Sequence, residues 1–130
     1  MSPTVHGIHH VTCIAGDPQE NYDFYTKVMG LRLVKKSVNQ DVPDTYHLFY
    51  ADGAGTPGTD LTFFPWPNMD PVQPGVGLTM EVVFAVPPGG LAYWRERLAA
   101  HGVSLGDEER RFGERVLPFR DPHGLALALV

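Results

Sequence analysis

Histidine and glutamate side chains stand in two similar apolar segments of this chain, at positions where they could bind a metal ion. The segment of residues 8–15 contains the pair His9-His10, and the segment of residues 78–86 contains Glu81. Aligning the ends of the two segments places Glu81 at the position of His10. Imidazole and carboxylate groups are common ligands of divalent transition metals. The pattern therefore predicts a site shared by the two segments.

The elements around these residues repeat as well, which indicates two copies of one supersecondary unit. In the first copy, Asp17 can cap a helix that has Pro18 at its first position and Glu20 three residues after the cap. Gly30 is the expected end of this helix. Strands are predicted at residues 8–15, 31–38, 46–51 and 61–64, and a linker at 65–77. The second copy is predicted to have a helix at 91–101 and strands at 78–86, 104–110, 114–119 and 125–130.

Strand alternation predicts which side chains share a face, because neighbouring residues of a strand point to opposite sides. The large residues Leu127 and Leu129 of the last strand are expected to meet the helices. The intervening residue of that strand then faces the other way. By the same rule, four positions are expected on one concave surface: His10, Thr62, Glu81 and Ala128.

Composition limits the class of protein. A chain of 130 residues that is 43% hydrophobic is expected to fold as one globular domain. A net charge of −5, with scattered basic residues, argues against a nucleic-acid partner. The lone Cys13 excludes an internal disulfide and fits a reducing compartment. Neither a signal pattern nor a membrane-spanning apolar run is present in this sequence, so we expect a cytoplasmic protein without a membrane partner.

Several motifs resemble the vicinal-oxygen-chelate superfamily, which includes glyoxalases, bleomycin resistance proteins and extradiol dioxygenases. They are Gly-Ile-His-His-Val-Thr at 7–12, residues 23–36, Tyr-His-Leu-Phe-Tyr-Ala-Asp at 46–52, Gly-Thr-Pro-Gly-Thr at 55–59 and Arg-Phe-Gly-Glu-Arg at 111–115. Together they are similar to the N-terminal half of hydroquinone-type ring-cleaving dioxygenases. The resemblance implies an α+β fold of paired βαβββ units, a curved mixed sheet with a concave cleft, and helices on the convex side. It also implies a single glyoxalase-like domain over 1–130, with units at about 1–72 and 73–130.

The resemblance also implies a metal site built from two histidines and a glutamate that hold Fe(II) or Mn(II). His10 matches the first-strand histidine, and Glu81 stands where many members have their second histidine. Ala128 occupies the position of the glutamate ligand and cannot coordinate, and Thr62 replaces a glutamate that glyoxalases carry. The hydroquinone-cleaving relatives are about twice as long and take their remaining ligands from the C-terminal half. The chain is therefore expected to be a half that pairs with another subunit, or a remnant with an incomplete site.

The expected function is ring cleavage of a catechol- or hydroquinone-like aromatic diol. His10 and Glu81 would hold the metal, and Thr12, His47 and Thr62 would shape the pocket. One alternative is a metal-free module of the antibiotic-resistance type that binds a small aromatic or apolar molecule, and another is a glyoxalase-type isomerase. At the level of single residues, His10 could instead be a structural strand histidine, and Glu81 a solvated carboxylate. A chain with half of the usual units is expected to form a homodimer.

Overall fold

The chain divides into two compact units, Met1–Met69 and Asp70–Val130. A computed structural model describes residues 3–70, 73 and 75–130. Each unit contains a four-stranded mixed sheet and a helix. The expected α+β class with repeated βαβββ units is confirmed.

The first unit carries the predicted histidine strand at one edge of its sheet. Its elements are β1 His10–Ala15, α1 Pro18–Asp23, β2 Arg32–Val38, β3 Tyr46–Ala51 and β4 Asp60–Pro65. The strand order is β1-β4-β3-β2, with β1 parallel to β4 and the other pairs antiparallel. A parallel pair needs a crossover connection, and here the helix α1 begins that connection.

Helix α1 begins as predicted and ends earlier than predicted. The Asp17 carboxylate accepts hydrogen bonds from the backbone N–H groups of Gln19 at 2.8 Å and Glu20 at 2.9 Å, which satisfies two donors at the helix start. After Asp23 the chain continues as a π-helical turn, Phe24–Val28, instead of one regular helix to Gly30. The wider turn is closed by a bond from the Met29 N–H to the Phe24 carbonyl.

The core of the first unit lies between this helical segment and one face of the sheet. The fully buried ring of Tyr25 stacks on the ring of Tyr50, with 5.3 Å between ring centres, and its centre lies 4.7 Å from that of Phe63. The Tyr50 hydroxyl donates to Asn21 Oδ1 at 2.8 Å, so the helix and the sheet are also joined by a buried hydrogen bond. These contacts assign Tyr50 and Phe63 to the core face. Residues that alternate with them, such as Phe49 and Thr62, lie on the opposite face.

The second unit repeats the topology, and three of its four strands are shorter than the sequence predicted. Its elements are β5 Val82–Phe84, α2 Leu91–Ala100, β6 Glu109–Arg111, β7 Glu114–Arg120 and β8 Ala126–Leu129. The strand order is β5-β8-β7-β6, again with a parallel first pair. The strand predicted over 78–86 forms only over Val82–Phe84, and the exposed Leu78 instead closes a turn in which its N–H donates to the Gly75 carbonyl. Similarly, the predicted strand 104–110 forms over Glu109–Arg111.

The predicted linker over 65–77 overlaps the end of β4, and its residues 71, 72 and 74 lie outside the described residues. Within the described part of the chain, no helix is both long enough and apolar enough to cross a membrane.

Candidate functional site

The face of the first sheet that points away from Tyr25 holds most of the predicted site residues. We call it the histidine face. Its strand register aligns Thr12 of β1 with Thr62 of β4, Thr62 with Phe49 of β3, and Phe49 with Lys35 of β2. One row of side chains therefore crosses all four strands. Other members of the face include His10 on β1, Asp60 and Phe64 on β4, and His47 on β3.

A hydrogen-bonded chain joins Thr12, Thr62 and His47. The Thr62 hydroxyl donates to Thr12 Oγ1 at 2.8 Å, and the same Thr62 oxygen lies 3.0 Å from His47 Nε2. Because the single Thr62 hydrogen is directed to Thr12, the bond from His47 requires a proton on Nε2. Neutral His47 then keeps Nδ1 as an acceptor, and Thr12 keeps its own hydroxyl hydrogen to donate. The three residues that were predicted to shape a pocket are thus joined through Thr62, although their role in substrate binding stays a prediction.

Aromatic rings surround His47. The centre of its imidazole lies 4.1 Å from the ring centre of Phe49 and 4.3 Å from that of Phe64. The rings of Phe64 and Trp66 are also neighbours, with 5.8 Å between their centres. Burial lowers the pKa of His47 below its ordinary value of 6.5, and electrostatic interactions with His10 and Lys35 lower this pKa further. The imidazole is therefore neutral at pH 7, within a partly buried aromatic surface.

The two adjacent histidines stand at the start of β1. Both are exposed, their rings meet edge-on, and the two Nδ1 atoms are 3.0 Å apart. His10 also approaches the ring of Phe49, with 6.0 Å between ring centroids. The imidazole of His10 is thus presented at the edge of the same face that carries His47.

A glycine-rich loop holds the backbone of the histidine pair. The Gly58 N–H donates to the His9 carbonyl at 2.8 Å. Gly58 has a φ of +93°, which residues with a side chain rarely adopt. A Cβ atom there would also lie only 3.2 Å from the Ile8 carbonyl oxygen, so both the backbone conformation and the available space favour glycine. The Asp52 carboxylate accepts from the Ala54 and Thr56 N–H groups within this loop, and these bonds lower its pKa. The turn motif at 55–59 therefore positions the start of β1.

Asp60 is a candidate that the sequence reasoning missed. It pairs with His10 in the parallel β1–β4 register, on the histidine face. Its Oδ1 atom is buried and has no hydrogen-bond partner among the described residues. The signal was available in the sequence, because Asp60 precedes Thr62 by two positions and must share its face if the strand begins early enough. Phe49, Phe64 and Lys35 were likewise not predicted as site residues.

Glu81 lies in the second unit, immediately before β5, and its carboxylate already has a partner. Both of its oxygens contact the guanidinium of Arg111, one of them at 3.2 Å from Nη2. Arg111 also pairs with Glu109. A two-point arginine–carboxylate contact of this kind is among the stronger polar interactions in proteins. A metal ion would therefore have to compete with Arg111 for the Glu81 carboxylate.

The donor set fits a metal site only in part. Among the residues that the structure describes, no group of three or more His, Cys, Asp or Glu side chains is placed to hold a metal ion. His10 offers an exposed imidazole at the predicted ligand position, with the Asp60 carboxylate on the neighbouring strand. A complete set of three ligands would need a further donor.

Two positions that were expected on an open surface are buried. Thr62 and Ala128 both have 0% exposed surface. Thr12 and His47 both form hydrogen bonds with the Thr62 hydroxyl, which contributes to its burial. Ala128 lies between Val83 and Pro118 in the strand register of the second sheet. Small side chains are covered by larger neighbours on the same face, which alternation alone does not predict.

Residues 7–129 match the Glyoxalase/Bleomycin resistance protein/Dioxygenase superfamily, and the chain belongs to this family. Among its relatives is a Bacillus subtilis (strain 168) protein named "Putative ring-cleaving dioxygenase MhqO", which is 48% identical over 100% of this chain. The chlorohydroquinone/hydroquinone 1,2-dioxygenase of Sphingobium indicum (strain UT26S) is 35% identical over 91% of it. A crystal structure of a "putative dioxygenase" from Bacillus subtilis superposes with a TM-score of 0.90, at 46% identity over 99% of the chain.

These relatives are much longer than the present chain. The aligned region covers 41% of MhqO, 37% of the Sphingobium enzyme and 41% of the crystallised protein. The similarity to a hydroquinone-type dioxygenase over part of its length is therefore confirmed.

Proposed function

We propose that the chain is the half of a ring-cleaving dioxygenase that supplies the first-strand histidine and binds the aromatic diol. The observation that carries the proposal is the hydrogen-bonded chain of Thr12, Thr62 and His47, which lies beside His10 on an aromatic face. The names of the longer relatives support the same reaction class. The proposed substrate is a catechol- or hydroquinone-like diol.

The side chains of the histidine face suit such a substrate. The partly buried rings of Phe49 and Phe64 offer apolar surface for a six-membered ring. The Thr12 hydroxyl can donate a hydrogen bond to a substrate oxygen, and neutral His47 can accept one at Nδ1. Because Thr62 fixes the orientation of both groups, they are ordered before the diol arrives, which lowers the entropic cost of binding.

We propose that His10 is one ligand of a divalent metal, Fe(II) or Mn(II). When bound, such an ion offers open coordination positions that bring a diol and O₂ together. Glu81 of the second unit is proposed as a metal ligand as well, in competition with its ion pair to Arg111. The remaining donor would come from a second copy of the chain in a cytoplasmic homodimer, or from another polypeptide.

The test combines metal analysis with oxygen uptake. Protein purified without chelators is loaded anaerobically with Fe(II) or Mn(II), and O₂ consumption is followed with catechol and with hydroquinone. We expect metal-dependent uptake that His10→Ala abolishes together with metal binding. His101→Ala, which changes an exposed histidine after α2, is the matched control and should retain both. Metal binding that survives His10→Ala would contradict the ligand assignment.

A second candidate function is a metal-free binding module, which the pairing of Glu81 with Arg111 favours. In that case, catechol should bind the histidine face in the presence of a chelator, with an affinity that added Mn(II) does not change. Equal binding by the wild type and His10→Ala, without any oxygen uptake, would support this candidate and exclude the dioxygenase.

A further inference from the structure

An irregularity in β2 directs a lysine onto the histidine face. In a regular strand, Leu33 and Lys35 would share a face, because they are two positions apart. Here the register shifts between them: Leu33 pairs with Tyr50 of the core face, and Lys35 pairs with Phe49 of the histidine face. The intervening bulge therefore turns Lys35 away from the core. Bulges that redirect a side chain are frequent next to functional sites.

Lys35 reaches over the aromatic surface and pairs with none of the described carboxylates. Its ammonium nitrogen lies 5.5 Å from the centre of the Phe49 ring. None of the ion pairs between described residues includes Lys35. The attraction between an ammonium group and the face of an aromatic ring is weak and does not neutralise the charge, so the lysine can still bind an anion.

The neighbouring lysine provides a natural comparison. Lys36 places its ammonium group 4.0 Å from the centre of the Tyr46 ring. Lys36 pairs with Leu48, whose side chain lies on the core face of the sheet, whereas Lys35 pairs with Phe49 of the histidine face. The two adjacent lysines are both exposed and lie on opposite faces of β2. Of the two, only Lys35 lies in the row of side chains that contains Phe49, Thr62 and Thr12.

We propose that Lys35 and Phe49 select an aromatic ligand that carries a negative charge, such as a carboxylate on the diol ring. The inference rests on the proposed function, because it defines the substrate class of the same site. The ligand ring packs on Phe49, its anionic group pairs with the Lys35 ammonium, and its hydroxyl groups face Thr12 and His47. About three strand spacings, or roughly 14 Å, separate the Cα atoms of Lys35 and Thr12. A lysine side chain and one substituted ring fill this span.

The test compares two diols of similar shape and different charge. Metal-free protein is titrated near pH 7, in the presence of a chelator, with 3,4-dihydroxybenzoate and with neutral 4-methylcatechol. We expect the wild type to bind the carboxylate about fivefold more tightly, which corresponds to about 1 kcal/mol for a solvent-exposed ion pair. Lys35→Met should remove this preference and leave the affinity for 4-methylcatechol unchanged, whereas Lys36→Met should retain the preference.

Ionic strength gives a second measurement. The preference should shrink when salt is raised from about 0.05 M to about 0.5 M, because exposed charges are screened. Equal affinities for the two diols in the wild type, a preference that persists in Lys35→Met, or binding of neither diol would overturn the proposal. These titrations use metal-free protein and therefore do not depend on catalysis. If the metal-loaded protein consumes no oxygen, that result contradicts the proposed dioxygenase activity but not the charge preference.

Discussion

Replacing Thr62 by valine tests whether the hydroxyl chain organises the histidine face. Valine has nearly the shape of threonine, so the substitution removes the hydroxyl from a fully buried position with little change in packing volume. Two hydrogen bonds are lost, one to Thr12 and one to His47. The exposed Thr12 can bond to water instead. The Nε2 of partly buried His47 loses its partner between two aromatic rings.

The expected cost follows from these environments. A buried donor that loses its partner destabilises a fold by about 1–3 kcal/mol, and the lost bond at exposed Thr12 costs at most about 0.5 kcal/mol. The apolar methyl of valine offsets part of this, by up to about 0.8 kcal/mol. We therefore expect Thr62→Val to lower the free energy of unfolding by about 1–2 kcal/mol in urea denaturation.

The pKa of His47 provides the more specific measurement. Thr62 accepts from Nε2, and such a bond is stronger when the imidazole is charged. Its loss should lower the pKa of His47 further below that of the wild type in an NMR titration. Thr62→Ser is the control: it keeps the hydroxyl, and should keep the wild-type pKa even if lost packing reduces its stability. A His47 pKa that is unchanged or raised in Thr62→Val would refute the proposed chain.

Three further outcomes are expected. Gly58→Ala should destabilise the fold by about 1–2 kcal/mol and shift the NMR signals of the histidine pair, because its φ is +93° and its Cβ would crowd a carbonyl oxygen; Gly53→Ala, with open space around its Cβ, should change neither. Arg111→Met should raise Mn(II) affinity in calorimetry if Glu81 is a ligand, and an affinity that does not rise, or that rises equally in an Arg111→Met/Glu81→Gln double variant, would count against Glu81. Protonation of His47 should reduce the free energy of unfolding as pH falls from about 6.5 through the lowered pKa of the folded state, because the unfolded chain then binds more protons. His47→Gln should flatten this part of the pH–stability profile, and an unchanged profile would argue against the lowered pKa.

Local signals predicted the elements that carry the site. The cap at Asp17 and Pro18 marked the start of α1, because these residues act on the backbone next to them. The alternating pattern located β3 at Tyr46–Ala51 with its observed limits. Alternation also placed His10 and Thr62 opposite the core, since the two-residue period of a strand does not depend on distant contacts.

The contacts between these residues depend on how separate segments pack together. The bond between His47 and Thr62 depends on the register of two strands, and the position of Lys35 depends on a bulge that pairing with β3 creates. The ion pair between Glu81 and Arg111 joins residues that are distant along the chain. Register, bulges and ion pairs are set by hydrogen bonds and charges between separate segments, and a one-dimensional pattern of residue types does not contain them. Residue patterns thus predict the repeated unit, the two faces of its sheet and the candidate histidine, whereas the contacts through which these residues could act form only when the chain folds.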